Sequence, residues 1–335
     1  MEEFNKLNIL QKRKMAIEDL VKYYADYRIY CYNNNEKLKG IELRKKIHFL
    51  IDLILQIDKL VSKENNIIRG NENKAIKDEP KIFACTHIGG NDIQRTLQII
   101  KEPAYLMLGD PGILYRKLIY QGLKLNGVIP LETKNKVDRK VAYNRSIELL
   151  NNGGNLLIYP EGAWNVSPNE LVMKTFVGTV RMARETGVQI VPIAVEQYGK
   201  NFYFNIGKNY GIAKNSNKTE KELNNELRDK LVTLKWHILE TQETLKRKDL
   251  PSDYIHKFQS EIVDKCNYGY GFSLEDALSE RFHDKSIISE VQINQALKDY
   301  PYHYFSDKSK NPYSGSGIAC YSKYPIIEVQ EIVYE

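Results

Sequence analysis

Cysteine is scarce and scattered. Four occur in 335 residues, at Cys31, Cys85, Cys266 and Cys320, and no two form a C-x-x-C pair. That spacing argues against a zinc site and against a disulfide scaffold. Free thiols in a reducing compartment are the simplest reading, and no metal is expected. Long apolar runs are missing too. The greasiest stretch, Phe49 to Ile57, is interrupted by Asp52, so a spanning helix is not expected. The charged start, Met1-Glu2-Glu3-Phe4-Asn5-Lys6, lacks a signal-peptide pattern. The expectation is a cytoplasmic protein, either free or peripheral on the inner face of a membrane. Strong basicity is also lacking. A net charge of +6 and a pI near 8.8 suit an anionic membrane face, an acidic carrier protein or a phosphorylated ligand. Nucleic acid is not expected as a partner, since no recognition motif for it is present.

Hydrophobic residues make up 42% of the chain, enough for a substantial core in one large domain or two. Residues 1–62 read as helix throughout. Leu43, Ile47, Leu50, Ile51, Ile54 and Val61 follow the helical period behind a basic start at Arg44, Lys45 and Lys46. Such a helix suits interfacial docking as well as packing on a neighbouring domain. Residues 63–79 are polar and read as a linker.

From residue 80 short apolar runs alternate with helical ones. Candidate strands are Ile82–Thr86, Ala104–Leu108, Gly127–Leu131, Asn155–Tyr159, Gln189–Glu196 and Phe202–Ile206. Candidate helices are Asp92–Ile100, Ile113–Leu125, Arg139–Leu150 and Val177–Thr186. This alternation predicts an α/β fold, a mainly parallel sheet covered by helices, with helical additions at both ends. The division expected is 1–79 (helical segment and linker), 80–215 (catalytic domain) and 216–335 (helical extension and Tyr-rich tail). In such sheets the functional crevice lies beyond the carboxyl ends of the strands.

Two motifs fall at that edge. In His87-Ile88-Gly89-Gly90-Asn91-Asp92, a histidine follows a strand and an aspartate stands one turn into the next helix. A carboxylate within reach of an imidazole fixes its tautomer and stabilises the imidazolium formed on proton uptake. Asn91 or Asp92 can equally serve as the cap of the helix that follows. In Tyr159-Pro160-Glu161-Gly162, proline breaks a strand, Glu161 can accept from a substrate hydroxyl, and Gly162 lets a ligand approach the backbone. The same residues also fit a plain strand-end turn. Val191-Pro192-Ile193 reads as the entrance or edge of a further strand.

Taken together the blocks resemble those of the glycerolipid acyltransferases. That family carries His-x4-Asp after its first strand, Phe-Pro-Glu-Gly-Thr-Arg-Ser about seventy residues later and a Val-Pro strand about thirty beyond that. His87, Glu161 and Pro192 match in order, and Gly127-Val128-Ile129 resembles the Gly-x-Ile block between them. The likeness covers about residues 80–210. It implies that His87 deprotonates the acceptor, that Asp92 orients His87, and that Glu161, Gly162, Trp164 and Asn165 shape the acceptor site.

The departures bear on the acceptor. The family's arginine after Phe-Pro-Glu-Gly-Thr is Trp164 here, and the aspartate–arginine pair ending the Gly-x-Ile block is Glu132 and Thr133. Those arginines grip a phosphate in the family, a task suited to a guanidinium fork. Lys134, Lys136 and Arg139 are the candidates to replace them, unless they belong to a solvated loop and helix start. Trp164 can stack on a substrate or pack beneath the loop. The family's Asn before the His is Thr86.

The resemblance thus implies an acyltransferase of lipid metabolism and phospholipid biosynthesis. It would move a fatty acyl group from acyl-CoA or acyl carrier protein to a hydroxyl or amine, with no cofactor beyond that donor. A lysophospholipid acceptor is one option, and the missing arginines favour a non-standard one. The rivals are a catalytically silent lipid-binding scaffold and a thioesterase. No Gly-x-Ser-x-Gly elbow is present, which argues against a serine hydrolase.

Overall fold

The computed structural model describes residues 9–109, 112, 115, 119–167, 170–243, 249–266, 302–305 and 319–322. One compact unit takes Met1–Thr244 and Ser252–Ala277. It opens with helices α1 (Ile9–Lys14), α2 (Ile17–Asn33) and α3 (Ile41–Ser62). The single helical run expected over 1–62 is therefore broken twice. At the first break Ala16 is extended; at the second Asn35 and Gly40 take positive φ, a conformation that asparagine and glycine tolerate and a continuing helix does not.

Seven strands follow: β1 (Asn65–Asn71), β2 (Lys81–Cys85), β3 (Ala104–Gly109), β4 (Val128–Leu131), β5 (Asn155–Ile158), β6 (Gln189–Tyr198) and β7 (Asn201–Ile206). Their order across the sheet is β1-β7-β6-β2-β5-β3-β4. Every neighbouring pair is parallel except β6 and β7, a hairpin around Gly199. The expected linker is corrected here, because β1 lies within it and forms the sheet edge beside β7. An edge strand needs one partner only, so Asn65-Asn66-Ile67-Ile68-Arg69-Gly70-Asn71 pairs despite its polarity.

Helices α4 (Asp92–Ile100), α5 (Ile119–Asn126), α6 (Lys136–Asn151), α7 (Gly178–Thr186), α8 (Glu220–Leu239) and α9 (Tyr254–Cys266) complete the unit. The start of the helix expected at Ile113 falls largely outside the described residues. Side chains of the central strands alternate between two cores. Ile82, Ala84, Leu156, Ile158 and Ile190 point to one, which α6, α7 and α8 cover. Phe83, Cys85, Leu157, Val191 and Ile193 point to the other, under α3 and α4.

Pro192 corrects a further expectation, since it lies inside β6 rather than at a strand entrance. Its carbonyl accepts from Gly207 N–H at 2.9 Å, beyond the last β6–β7 pair at Ile193 and Ile206. Its missing N–H therefore falls where the ladder has lapsed. A second unit takes Leu245–Pro251 and Leu278–Glu335. In it β8 (Tyr302–Phe305) and β9 (Ala319–Ser322) pair antiparallel. Of the tyrosines in residues 301–335, Tyr313, Tyr324 and Tyr334 lie outside the described residues.

Candidate active site

The site is built where β2 and β5 end side by side. Thr86 completes the β2 end: its hydroxyl oxygen accepts from Val195 N–H at 3.0 Å, tying the turn to β6. His87 follows, and Nδ1 donates to Asp92 Oδ2 at 2.8 Å. The same oxygen accepts from the backbone N–H groups of Ile88 at 2.8 Å and Gly89 at 2.9 Å. Gly89 and Gly90 both take positive φ, which allows the turn to fold back on that oxygen. Asp92 is fully buried and His87 is 12% exposed at its side chain. A carboxylate can only accept, so the proton sits on Nδ1 and Nε2 carries the lone pair. That is the tautomer a general base requires.

Capping is distributed differently from expectation. Asn91 precedes α4 but makes no side-chain hydrogen bond to its own helix. Its amide instead donates to both oxygens of Glu64, at 3.0 and 3.1 Å.

Two rings flank the imidazole. Tyr159 lies 4.2 Å from it, centroid to centroid, at a 31° tilt. Trp164 presents itself at 6.5 Å and 67°. Burial pushes the Tyr159 phenol well above its ordinary range, with Asp92 and Cys85 adding to the effect, so Tyr159 acts as a neutral wall. Cys85, two residues before His87, is no nucleophile. It is buried, its Sγ lies 3.6 Å from Thr96 Oγ1, and burial raises its pKa far beyond the thiol range.

Glu161 follows β5 and is fully buried. One carboxylate oxygen accepts from His87 N–H at 2.9 Å, and the other from Met173 N–H at 2.8 Å. This corrects the expectation that Glu161 meets a substrate hydroxyl, because the carboxylate is fully buried and each oxygen accepts from a backbone N–H. Burial raises its pKa; the charge of Lys235 and the two N–H donors hold it down. Lys235 itself is buried on α8 and pairs with Glu196 at 3.3 Å.

Asn165 is corrected in the same way. Its backbone N–H donates to the His87 carbonyl at 2.7 Å. Its side-chain amide donates to the carbonyls of Glu170 and Leu171, at 2.9 and 3.0 Å. It braces the loop rather than facing a ligand. Gly162 is exposed and takes φ +68°, and a Cβ there would meet the Phe176 ring at 2.5 Å. Phe176 is 63% exposed and borders Gly162, so together with Trp164, which faces His87, it gives the turn after β5 an aromatic lip.

Lys134, Lys136 and Arg139 are exposed and follow β4. They share the sheet edge with His87 but stand three strands away, about 14 Å at ordinary strand spacing. Arg139 donates to the Thr133 carbonyl. A cation that sequence reasoning assigned no role holds the same segment: Arg28 of α2 clamps the buried Asp138 bidentately, at 3.0 and 2.6 Å. Asp138 in turn accepts from Glu132 N–H at 2.7 Å, and Arg28 also donates to Tyr115 at 2.9 Å. The loop that departs from the family pattern is thus fixed from α2.

Sequence reasoning also missed Thr86, Tyr159 and Met173 as parts of the site, and Glu64 and Arg95 behind it. One signal exists for Arg95, a charged residue where the 3.6-residue period of α4 turns inward.

Residues 65–196 match the family model described as Acyltransferase. The chain is 28% identical over 157 residues to the 1-acyl-sn-glycerol-3-phosphate acyltransferase LPAT1, chloroplastic, of Arabidopsis thaliana, covering 47% of this chain and 43% of that protein. It is 26% identical over 157 residues to the 1-acyl-sn-glycerol-3-phosphate acyltransferase BAT2, chloroplastic, of Brassica napus, covering 47% and 44%. It thus spans less than half the length of these curated relatives. Among solved structures it is similar to the 1-acyl-sn-glycerophosphate acyltransferase PlsC of Thermotoga maritima, at 18% identity and a TM-score of 0.49. That likeness covers 71% of this chain and 96% of the other.

Proposed function

Through residues 65–196 the chain belongs to the glycerolipid acyltransferase family, and on that premise we propose that it transfers a fatty acyl group from a thioester to the hydroxyl of a glycerolipid-like acceptor. The observation that carries the reading is the 2.8 Å bond from His87 Nδ1 to Asp92. It leaves Nε2 basic at a strand end, with the adjacent thiol, Cys85, buried and unreactive. The acceptor O–H gives its proton to Nε2, and its oxygen attacks the thioester carbonyl carbon. The C–S bond then breaks, and the departing sulfur takes the proton from the imidazolium. The products are an ester and a free thiol, with no acyl-enzyme between them.

Acyl-CoA and acyl carrier protein both supply the thioester this chemistry needs. By the resemblance, Trp164 and Thr133 take the positions of the family's arginines, so no guanidinium fork is expected for an acceptor phosphate. The acceptor best suited to the aromatic lip is a lysolipid whose headgroup charge is small.

Membrane association fits α3. Among the described residues no helix is long and apolar enough to cross a membrane. The outer face of α3 nonetheless exposes Phe49, Leu53, Ile57, Leu60 (76%) and Val61 (78%). Arg44, Lys45 and Lys46 stand at its start. That pattern suits a helix lying in the interface of an anionic bilayer.

The test is to supply acyl-CoA, or acylated carrier protein, with and without a panel of lysolipids and simple alcohols, and to follow free thiol and acylated product. Acceptor-dependent release is expected, falling about a hundred- to ten-thousandfold in His87→Ala. An uncharged lysolipid should outperform lysophosphatidic acid. Release independent of acceptor would mean hydrolysis, and no release would mean a binding protein; either overturns the reading.

A further inference from the structure

Behind the His87–Asp92 turn lies a buried polar cluster that the acyl-transfer steps do not use. Arg95 of α4 is fully buried. Its Nε donates to Glu64 Oε2 at 2.8 Å, one terminal nitrogen to Gln98 at 2.7 Å, and the other to Asp58 and, at 3.3 Å, to Ser62. Asp58 and Ser62 lie in the last turn and a half of α3, and Glu64 stands two residues past its end. Gln98 closes the cluster by donating to the Leu55 carbonyl of α3 at 2.7 Å.

The arrangement faces the active site through one residue. Glu64 receives the Asn91 amide on both oxygens, and Asn91 directly precedes Asp92. An asparagine at a helix N-cap ordinarily accepts from the first turn of its own helix. Here the side chain gives that up, while the Asn91 carbonyl still accepts the ordinary first bond of the helix, from Arg95 N–H at 2.9 Å. The chain of contacts runs from α3 to Glu64, Asn91, Asp92 and His87. A buried guanidinium between two carboxylates is costly to desolvate and rarely the cheapest route to stability. It does hold one geometry, because losing any partner strands a charge.

We propose that Glu64 and Arg95 are positioning residues for the His87–Asp92 pair, so that α3 is a working part of the active site. The kinetic arm of this inference rests on the acyl-transfer reading; the structural arm does not. Asn91→Ala is the mild variant, since it removes the link and leaves Arg95 paired. Glu64→Gln removes the charge and keeps the shape. Glu42→Gln, at the far end of α3, breaks an exposed pair with Lys45 and is the control.

Two measurements decide it. The first is the NMR signal of the His87 Nδ1 proton in histidine-labelled protein, assigned by its loss in His87→Ala. It should be shifted or broadened in Asn91→Ala and Glu64→Gln and unchanged in Glu42→Gln. The second is steady-state kinetics. Asn91→Ala and Glu64→Gln should each lower kcat by about ten- to a hundredfold, with KM within about twofold, as expected when a reacting group is misplaced. The double variant should be no slower than Glu64→Gln alone, since both act through one link. An unaltered His87 signal in both variants overturns the inference, as does a kcat loss that merely follows the unfolded fraction. A responsive His87 signal in a protein that transfers no acyl group would uphold the positioning and refute the enzymatic reading.

Discussion

Replacing Glu161 tests the architecture more sharply than replacing the base. Its carboxylate is fully buried and accepts from the His87 and Met173 N–H groups, at 2.9 and 2.8 Å. Hydrogen bonds to a charged group contribute about 1.5–3 kcal/mol each. Glu161→Ala removes both and strands two buried donors, a loss of about 3–6 kcal/mol on that basis. A domain is stable by only about 5–15 kcal/mol, so this variant approaches unfolding and is the less useful one. Glu161→Gln keeps the shape and one acceptor but turns an NH2 group against the other N–H. The expected loss is one charge-assisted bond, about 1.5–3 kcal/mol, partly offset because no charge remains to be buried. Urea denaturation at neutral pH gives the free energy, with the slope against urea unchanged if the compactness is unchanged. Acyl transfer on the folded fraction should fall in parallel, because the His87 backbone is freed on one side. Stability within about 0.5 kcal/mol of the parent, together with normal turnover, would refute the role given to Glu161.

Three further outcomes follow from particular residues. Gly162→Ala should lose about 1–2 kcal/mol for its left-handed backbone alone. Removing Phe176 as well should relieve the ring contact but not that loss, and a neutral single variant in urea melts would sink the argument. Burial lowers the pKa of His48 below its usual 6.5, against the pull of Asp52 and Glu102. Protonation therefore favours the unfolded chain: the His48 contribution is complete above pH 6.5 and is lost as pH falls through that value toward the folded one. His48→Gln should flatten urea stability between pH 7 and 5, and an unchanged slope would refute it. Cys85 should resist alkylation at pH 8 until the chain unfolds, read by mass spectrometry, whereas labelling at the rate of a free thiol would contradict its burial.

Much of the sheet was legible in the sequence because buried strands are nearly continuous apolar runs. Ile82, Phe83, Ala84 and Cys85 mark β2, and α4 falls where its period and turn residues put it. The polar strand β1 was not legible, since Ile67 and Ile68 are its only strongly apolar residues and its partner β7 lies more than a hundred positions on. The His87–Asp92 contact was readable from a spacing of five. The role of Glu161 was not, because periodicity tells which side chains are inward but not which N–H an inward carboxylate will find. Glu64, Asn91 and Arg95 fail for the same reason: each has an ordinary local reading that a distant partner overrides. The lysines after β4 show the converse error, where sequence order suggested proximity to His87 and two intervening strands, β5 and β3, keep them apart.

The peptide group of His87 is held at both ends by the segment after β5: its N–H by Glu161 and its carbonyl by the Asn165 N–H. His87 and the lip are therefore tied as one piece. On the proposed mechanism, remodelling residues 161–165 to admit a bulkier substrate would drag the imidazole along and lower turnover. On the proposed mechanism, selectivity is more safely re-engineered outside this segment, where side chains can be exchanged without shifting the His87 backbone.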